Sequence, residues 1–500
     1  MSLFSLLDRT ARQWPQAGAV YHGTHCVHTW AELRQRALAL GHSLTQHVPT
    51  GSRIAIVSEN NPHYLELMFG TWAAHQAVVP INYKLHAKEM AHIILDAEPA
   101  RIFASPELAK GLKDALDNDW PGRVCVIGSP EYAQLFAGPA LRPEPADPEA
   151  LAWLFYTSGT TGRSKGAMLS QRNLMAMTLS HLADVEPLNE QCSQIHAAPM
   201  SHGSGMYIPA YVACGARQVV PASGGFEPDE FLQLCHAHAG VGAFLAPTMV
   251  QRLRQSLPHP GAVPPGLRSV IYGGGPMYVQ ELKQSLAAFG QVFVQIYGQG
   301  ESPMTITWLR REDHTSADDA ILGSVGLART GVDVRVVDGA GHDVPTGDIG
   351  EIIVRGDVVM SGYWRNPKGT AEALREGWLY TGDMGSQDSR GYITLRDRSK
   401  DVVISGGSNI YPREVEEALL THPDVSEVSV VGQRDEEWGE IVIAFVVPRA
   451  GATLSTEALD AHCLERIARF KRPKRYVVLP ALPKNSYGKV LKRSLREMLD

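Results

Sequence analysis

The sequence predicts an α/β protein with an added α+β unit: a large N-terminal domain of βαβ-type sheets ending in a small barrel-like layer, then a small C-terminal domain. Three observations predict it. Short apolar, β-branched runs alternate with helical-period segments as far as Tyr297. From about residue 322 the texture changes to period-2 strands separated by Gly, Asp and Pro. After Arg398 a further set of strands and helices begins, long enough for a domain of its own.

Taken in order, the alternating runs are Arg53–Ser58, Ala77–Ile81, Arg101–Ala104, Val124–Ile127, Val219–Pro221, Val241–Leu245, Ser269–Tyr272 and Val292–Tyr297. Between them, Leu33, Ala37, Leu40 and Leu44 recur at helical spacing, so Trp30–His47 reads as a helix, with Thr29 and Glu32 spaced as a capping box. Asp333–Asp338, Glu351–Arg355 and Tyr392–Leu395 read as strands of an antiparallel or barrel-like layer over about 322–397. The last unit carries Val402–Ile404, a helix opened by Pro412 in its first turn, then Val428–Gly432, Ile441–Val447 and Tyr476–Leu479. The expected division is 1–397 and 401–500.

The 500 residues are 44% hydrophobic and 20% charged, a soluble globular composition. With 46 Lys+Arg against 53 Asp+Glu the net charge is −7, which argues against nucleic acid as a partner. Any basic site must be local. The strongest basic segment is 461–500, where eleven basic residues face three acidic ones; it reads as a solvated face or as a surface meeting a polyphosphate. The six cysteines form no Cys-x-x-Cys pair, so neither a disulfide framework nor a zinc site is expected. Neither an export signal nor a membrane-spanning run is read in the sequence, and a cytoplasmic setting is the expectation.

The most informative segment is Tyr156-Thr-Ser-Gly-Thr-Thr-Gly-Arg-Ser-Lys-Gly166, directly after the apolar run Leu151–Phe155. Its hydroxyls, glycine backbone and Lys165 suit a turn that surrounds phosphate oxygens. The order of a Walker P-loop is missing, which disfavours an ordinary P-loop ATPase.

Here the chain resembles the adenylate-forming superfamily, in its acyl-CoA synthetase and aryl-CoA ligase branch. The resemblance recurs in order through Ala198-Pro-Met-Ser-His-Gly203, Tyr272-Gly-Gly-Gly-Pro276, Ile296-Tyr-Gly-Gln-Gly-Glu301, Gly350-Glu-Ile-Ile-Val-Arg-Gly356 with Gly362-Tyr-Trp, Gly377-Trp-Leu-Tyr-Thr-Gly-Asp383, Arg398-Ser-Lys-Asp401, Ser405-Gly-Gly-Ser-Asn-Ile-Tyr-Pro412 and Pro483-Lys-Asn-Ser-Tyr-Gly-Lys489. It implies an enzyme that activates a carboxylic acid as acyl-AMP with ATP and Mg²⁺, then passes the acyl group to coenzyme A. Carried over by position, Thr157, Ser158, Gly159, Thr160, Thr161, Gly162 and Lys165 would hold the β- and γ-phosphates, and Glu301 would help hold Mg²⁺. Tyr297 would stack on adenine, Gly274, Gly275, Pro276 and Gly298 would line the nucleotide, and Asp383 would take the ribose hydroxyls with Arg398 beside it. Lys489 would reach from a mobile small domain to the reacting phosphate, with the hinge at 398–400 and Lys400 as its turning residue. Gly406 and Gly407 would let the pantetheine arm pass.

The acid pocket implied by the resemblance is formed by His202, Met206, Tyr207, Phe244, Gly275, Gly298, Gln299 and Met304, with His202 as an aromatic gate. No Asp, Glu, Lys or Arg stands among them, so an apolar aliphatic or aromatic acid is expected. Many relatives carry Thr just before the Mg²⁺-binding glutamate, whereas this chain has Gly300. The lost contact is expected to pass to Gln299, a backbone N–H or water, or Gly300 marks a positive φ or close packing of the acid. Two other readings stay open: an enzyme loading an acyl carrier protein, weakened by the absence of a carrier segment after Asp500, and a catalytically silent nucleotide-binding homologue. A homodimer also stays open.

Overall fold

Four sheets divide the chain in the computed structural model, which describes residues 2–116, 123–157, 164–406, 408–485 and 489–499. The first sheet runs in space Arg123–Val126, Arg101–Ala104, Arg53–Ser58, Ala77–Asn82, Leu151–Thr157, Lys165–Ser170, and every pairing is parallel except the last. Ala77–Asn82 is buried along its whole length, as a central parallel strand covered on both faces requires. The capped helix Trp30–His47 lies where the periodicity places it, and the Thr29 and Glu32 side chains each accept a hydrogen bond from the other's backbone N–H.

The second sheet has nine strands. Phe293–Tyr297, Leu267–Tyr272, Val241–Leu245, Ser193–Ile195, Arg217–Val220 and Gly18–His22 run parallel, flanked by antiparallel Thr307–Leu309 and Leu327–Ala328 at one edge and His25–Thr29 at the other. The short strands Gly18–His22, His25–Thr29 and Ser193–Ile195 escape the sequence reading; each is only three to five residues long, and their place in the sheet depends on pairing with Arg217–Val220 and Val241–Leu245, distant in the chain.

The expected barrel-like layer is a five-stranded antiparallel sheet of Val332–Val337, Gly350–Gly356, Trp378–Gln387, Leu374–Arg375 and Ile393–Arg398. A separate C-terminal sheet joins Ser408–Ile410, Val403–Ser405, Gly439–Pro448, Val425–Asp435 and Arg475–Val478 around its own core, in which Val430, Ala444 and Val446 are fully buried. The helix Pro412–Leu420 begins at the proline, as read.

Much of the basic C-terminal segment is neither a free face nor a phosphate surface. Lys471 pairs with Glu414 at 2.7 Å, Arg472 with Asp460 at 2.6 Å and Lys484 with Glu427 at 2.5 Å. Lys492 and Arg496, four apart on the helix Lys492–Glu497, reach Asp397 at 3.3 Å and Asp401 at 2.7 Å. The excess of charge seen in the local sequence is thus balanced by acids from elsewhere in the fold. Among the described residues no helix is long and apolar enough to cross a membrane.

Burial holds three histidines neutral: His181 is pushed down to about 3, and His196 and His314 to about 4, from an ordinary 6.5. Below pH 6.5 the unfolded chain therefore binds protons that the fold does not, and stability falls with pH by about 1.4 kcal/mol per histidine per unit. The melting temperature should drop between pH 6.5 and 5, above the range where carboxylates titrate, and the drop should shrink in His196→Gln. A melting temperature flat over that window would contradict the burial argument.

Candidate active site

The segment singled out as a phosphate loop connects two antiparallel strands, Leu151–Thr157 and Lys165–Ser170, with Thr157 opposite Lys165 in register. Both ends of the loop are therefore fixed by one sheet edge. Ser158, Gly159, Thr160, Thr161 and Gly162 lie outside the described residues. The Gly362-Tyr-Trp motif docks on the second strand: Met168 N–H donates to the Gly362 carbonyl at 2.9 Å, and Trp364 N–H to the Gly166 carbonyl at 2.7 Å. This places the Tyr363 ring 5.1 Å from the Lys165 ammonium. The Tyr363 hydroxyl donates to Glu301 Oε1 at 2.7 Å, and burial together with the Glu301 charge pushes the phenol well above its ordinary value. Tyr363 is a positioning residue that sequence reasoning quoted only as part of a motif.

Asp383 joins three parts of the large domain. Its Oδ2 accepts from the Tyr297 hydroxyl at 2.7 Å and from the Gln299 amide at 2.6 Å, while Oδ1 meets Arg398 Nε at 2.6 Å. Tyr297 comes from the end of a nine-stranded-sheet strand, whereas Asp383 and Arg398 lie opposite each other on adjacent strands of the antiparallel layer. Burial works to lower the Arg398 pKa, and Asp383, Tyr297, Glu301 and Asp401 together outweigh it, so the guanidinium is held above its usual value. The Gln299 amide also donates to the Thr381 carbonyl at 2.9 Å. In this structure its N–H groups are therefore engaged by Thr381 and Asp383.

Lys489 stands beside this cluster, with Arg398, Asp383, Asp401 and Lys400 acting on its charge. Desolvation in the cleft and the Arg398 cation push its ammonium below the ordinary lysine value, against the pull of Asp383 and Asp401. The side chain remains exposed, so this is the desolvation of an open cleft rather than of an interior. Asn485 holds its backbone: Lys489 N–H donates to Asn485 Oδ1 and Asn485 N–H to the Lys489 carbonyl, at 2.9 and 2.8 Å. Lys400 is exposed in the single turn Ser399–Asp401. Gly406, with φ +55°, sits against Trp438, whose side chain is partly exposed; Gly407 lies outside the described residues.

On the opposite side, the His202 ring meets Phe155 edge-on at 4.9 Å. Burial pushes His202 down to about 4, so at neutral pH it is a neutral aromatic wall. Tyr207 and Phe244 are buried in one core cluster against which Met304 packs, whereas Met206 joins the larger core that also takes Tyr297. The nearest neighbour of an added Cβ on Gly203 is the Phe244 ring at 2.5 Å, so this chain admits no side chain between His202 and Phe244. Next to Gly274 (φ +78°), Gly275 and Pro276 the space is open, with no atom within 3.7 Å of a Cβ on either glycine. A Cβ on Gly298 would lie 2.7 Å from the Met304 backbone.

The gap at Gly300 is filled. An added Cβ would press on the Thr157 methyl and come within 2.7 and 2.9 Å of the Phe155 ring. Gly300 does not occupy the positive-φ region, so close approach of these two side chains, and not backbone conformation, requires glycine. Among the described residues no three carboxylate, His or Cys side chains cluster as a metal cage. A single carboxylate beside Lys165 is the donor set of a cation that takes its other ligands from phosphate and water, which fits Mg²⁺.

Comparison with known proteins agrees with this geometry. The AMP-binding enzyme family matches residues 7–364, and the AMP-binding enzyme C-terminal domain matches 414–489. A feruloyl-CoA synthase of Amycolatopsis sp is 34% identical over 98% of this chain and 97% of its own. A fatty acid–acyl-carrier-protein ligase of Streptomyces coeruleorubidus is 32% identical over 94% of this chain and 91% of its own. The crystal structure of ATP-bound MatB from Rhodopseudomonas palustris superposes with a TM-score of 0.90 at 31% identity, covering 100% of this chain and 99% of that one. The apo form of the same protein gives a TM-score of 0.80 at 31% identity.

Because Gly300 faces Phe155 and Thr157, Gly300→Thr should displace the start of the phosphate loop. ATP-dependent pyrophosphate release is expected to fall at least tenfold in kcat/KM for ATP, about 1.4 kcal/mol. Phe155→Val in the same chain should restore part of it. Improved ATP kinetics in Gly300→Thr alone would show that the site lacks a hydroxyl instead.

Proposed function

This chain belongs to the AMP-binding enzyme family, and from that premise we propose that it is an AMP-forming acid–CoA ligase acting on an aliphatic or aromatic carboxylic acid. The observation that carries the reading is the convergence of Lys489 from the small domain with Asp383 and Arg398 from the large one.

A carboxylate is a poor electrophile, and the chemistry begins by making it a nucleophile toward ATP. Its oxygen attacks the α-phosphorus, pyrophosphate leaves, and an acyl-AMP forms. Lys489 meets the charge that grows on the α-phosphate and acid oxygens, where an oriented cation in a low-dielectric cleft is worth most. Lys165 and the loop it closes take the outgoing phosphates. Glu301, oriented by Tyr363, would hold Mg²⁺ together with phosphate oxygens, and the ion would supply charge neutralisation at the polyphosphate. Tyr297, fixed through its hydroxyl, offers a ring face to adenine. Ribose hydroxyls bind at Asp383, sharing its oxygens with Tyr297 and displacing the Gln299 amide, since three of about four acceptor positions on the carboxylate are already used.

In the second step the coenzyme A thiolate attacks the acyl carbon and AMP departs. Lys489 must leave for the thiol to enter, which a turn about Lys400 achieves. The turn has to break Asp397–Lys492 and the Tyr278–Glu416 hydrogen bond, which cross between the domains, whereas Asp401–Arg496 lies within the small domain and can travel with it. Gly406 and the exposed Trp438 would then form the wall along which pantetheine passes.

Lys489→Ala should lower pyrophosphate release by about 10²–10³-fold, while preformed acyl-AMP is still converted to thioester by coenzyme A. Equal losses in the two half-reactions would remove Lys489 from the adenylation step. Lys400→Pro, which fixes φ near −65° by its ring, should do the reverse and lower thioester formation far more than pyrophosphate release. Two normal half-reactions in that variant would move the hinge elsewhere.

A further inference from the structure

Behind the acid pocket lies a group of buried polar atoms that the ligase chemistry does not use. Arg329 is 2% exposed, and its Nη1 and Nη2 have no hydrogen-bond partner among the described residues. The same holds for both ring nitrogens of His181, 1% exposed, and for the hydroxyl of Tyr207, 2% exposed. The three belong together: the His181 and Tyr207 rings lie 4.8 Å apart, and the Arg329 charge acts on both. His181 opens a π-helical turn, His181–Val185, a rare backbone form that recurs at functional sites. Buried donors of this strength are ordinarily satisfied, and a fully buried guanidinium with two idle nitrogens is the most costly of them to leave unmatched.

The group is continuous with the acid pocket through Tyr207. That ring lies 6.2 Å from Phe244 on one side and 4.8 Å from His181 on the other. Tyr207 is thus shared by the pocket read from sequence and by the buried polar group. None of the pocket residues read from sequence is a cation; Arg329 arrives from the loop after Leu327–Ala328, far along the chain.

The charges around it define what it receives. Asp184 already neutralises Arg329 through Nε at 2.9 Å and is itself held by Thr330 N–H, the Thr330 hydroxyl and Ser180. A second buried carboxylate, Glu186, lies nearby, bound by the Tyr211 hydroxyl at 2.5 Å and by Ser269, with Arg268 at 3.9 Å. A substrate carboxylate would add one more negative charge to a region whose guanidinium is already paired, and such a charge is costly when buried. An uncharged oxygen matches the idle N–H donors without that cost. Resting on the ligase reading above, we propose that Arg329, His181 and Tyr207 form the distal end of the acid site and recognise an uncharged hydrogen-bond acceptor, a hydroxyl, keto or ether oxygen, at the far end of an aromatic or medium-chain acid.

The test compares matched acids, cinnamate with 4-hydroxycinnamate and octanoate with 8-hydroxyoctanoate and octanedioate, in the wild type, Arg329→Met and Tyr207→Phe. Two readouts are used: kcat/KM for ATP-dependent pyrophosphate release, and thermal stabilisation of the protein by each acid. In at least one matched pair the oxygen-bearing acid should exceed its parent at least tenfold in the wild type, and each variant should bring that ratio within threefold of one. A purely structural role would lower both acids alike and leave the ratio, and Tyr207→Phe, which removes one oxygen, keeps the test usable where Arg329→Met does not fold. A wild-type ratio near one in both pairs overturns the proposal, as does a preference for octanedioate over 8-hydroxyoctanoate. If no acid releases pyrophosphate while thermal stabilisation still ranks the acids as expected, the ligase reading fails and the distal site stands.

Discussion

The Asp383 carboxylate is the point on which the rest of the site depends. It accepts from Tyr297, Gln299 and Arg398 at once, and those residues come from the end of the nine-stranded sheet, the turn that follows it and the last strand of the antiparallel layer. A buried carboxylate is tolerated only when its oxygens are matched. Satisfying it fixes the Tyr297 ring, the segment leading to Gly300 and Glu301, and Arg398 relative to one another.

From Arg398 the same constraint runs into the small domain. The next turn is flanked by Asp397 and Asp401, each tied to the helix Lys492–Glu497 that follows Lys489. Lys492 also reaches Glu416 at 3.4 Å, and Glu416 accepts from Tyr278 of the large domain at 3.0 Å. The helix that follows Lys489 is thus tied to both domains. These pairs are few, and only Arg496 among their members is substantially exposed. So small a set of contacts is compatible with the proposed departure of Lys489 between the two half-reactions.

The large domain adjusts as a unit around Gly300. Where many relatives have a threonine, the Phe155 ring and the Thr157 methyl fill the volume, and Phe155 in turn supports the His202 ring. The absence of a hydroxyl beside Glu301 is therefore coupled to the shape of the acid entrance. Glu301 draws its orientation from Tyr363, whose own place is set by the strand that begins at Lys165. Phosphate side and acid side share one strand pair, Leu151–Thr157 with Lys165–Ser170.

Much of this was legible in the residues alone. Apolar runs such as Arg53–Ser58 and Val241–Leu245 are strands because burial on both faces demands that composition, and Thr29 with Glu32 caps a helix because the cap is local chemistry. The ordered motifs likewise pointed to Lys165, Glu301, Asp383, Arg398 and Lys489, since each stands in a short segment whose neighbours mark it. What the sequence could not give is whatever depends on residues far apart in the chain. The edge strands Gly18–His22 and His25–Thr29 exist through pairing with Arg217–Val220, and the C-terminal basic run is matched by acids more than fifty residues away, Glu414, Glu427, Asp397 and Asp401. Gly300 shows its reason only once Phe155 is beside it. Arg329 meets His181 and Tyr207 only in the folded chain, because burial and the absence of a partner are properties of the packed interior and leave no mark on local sequence.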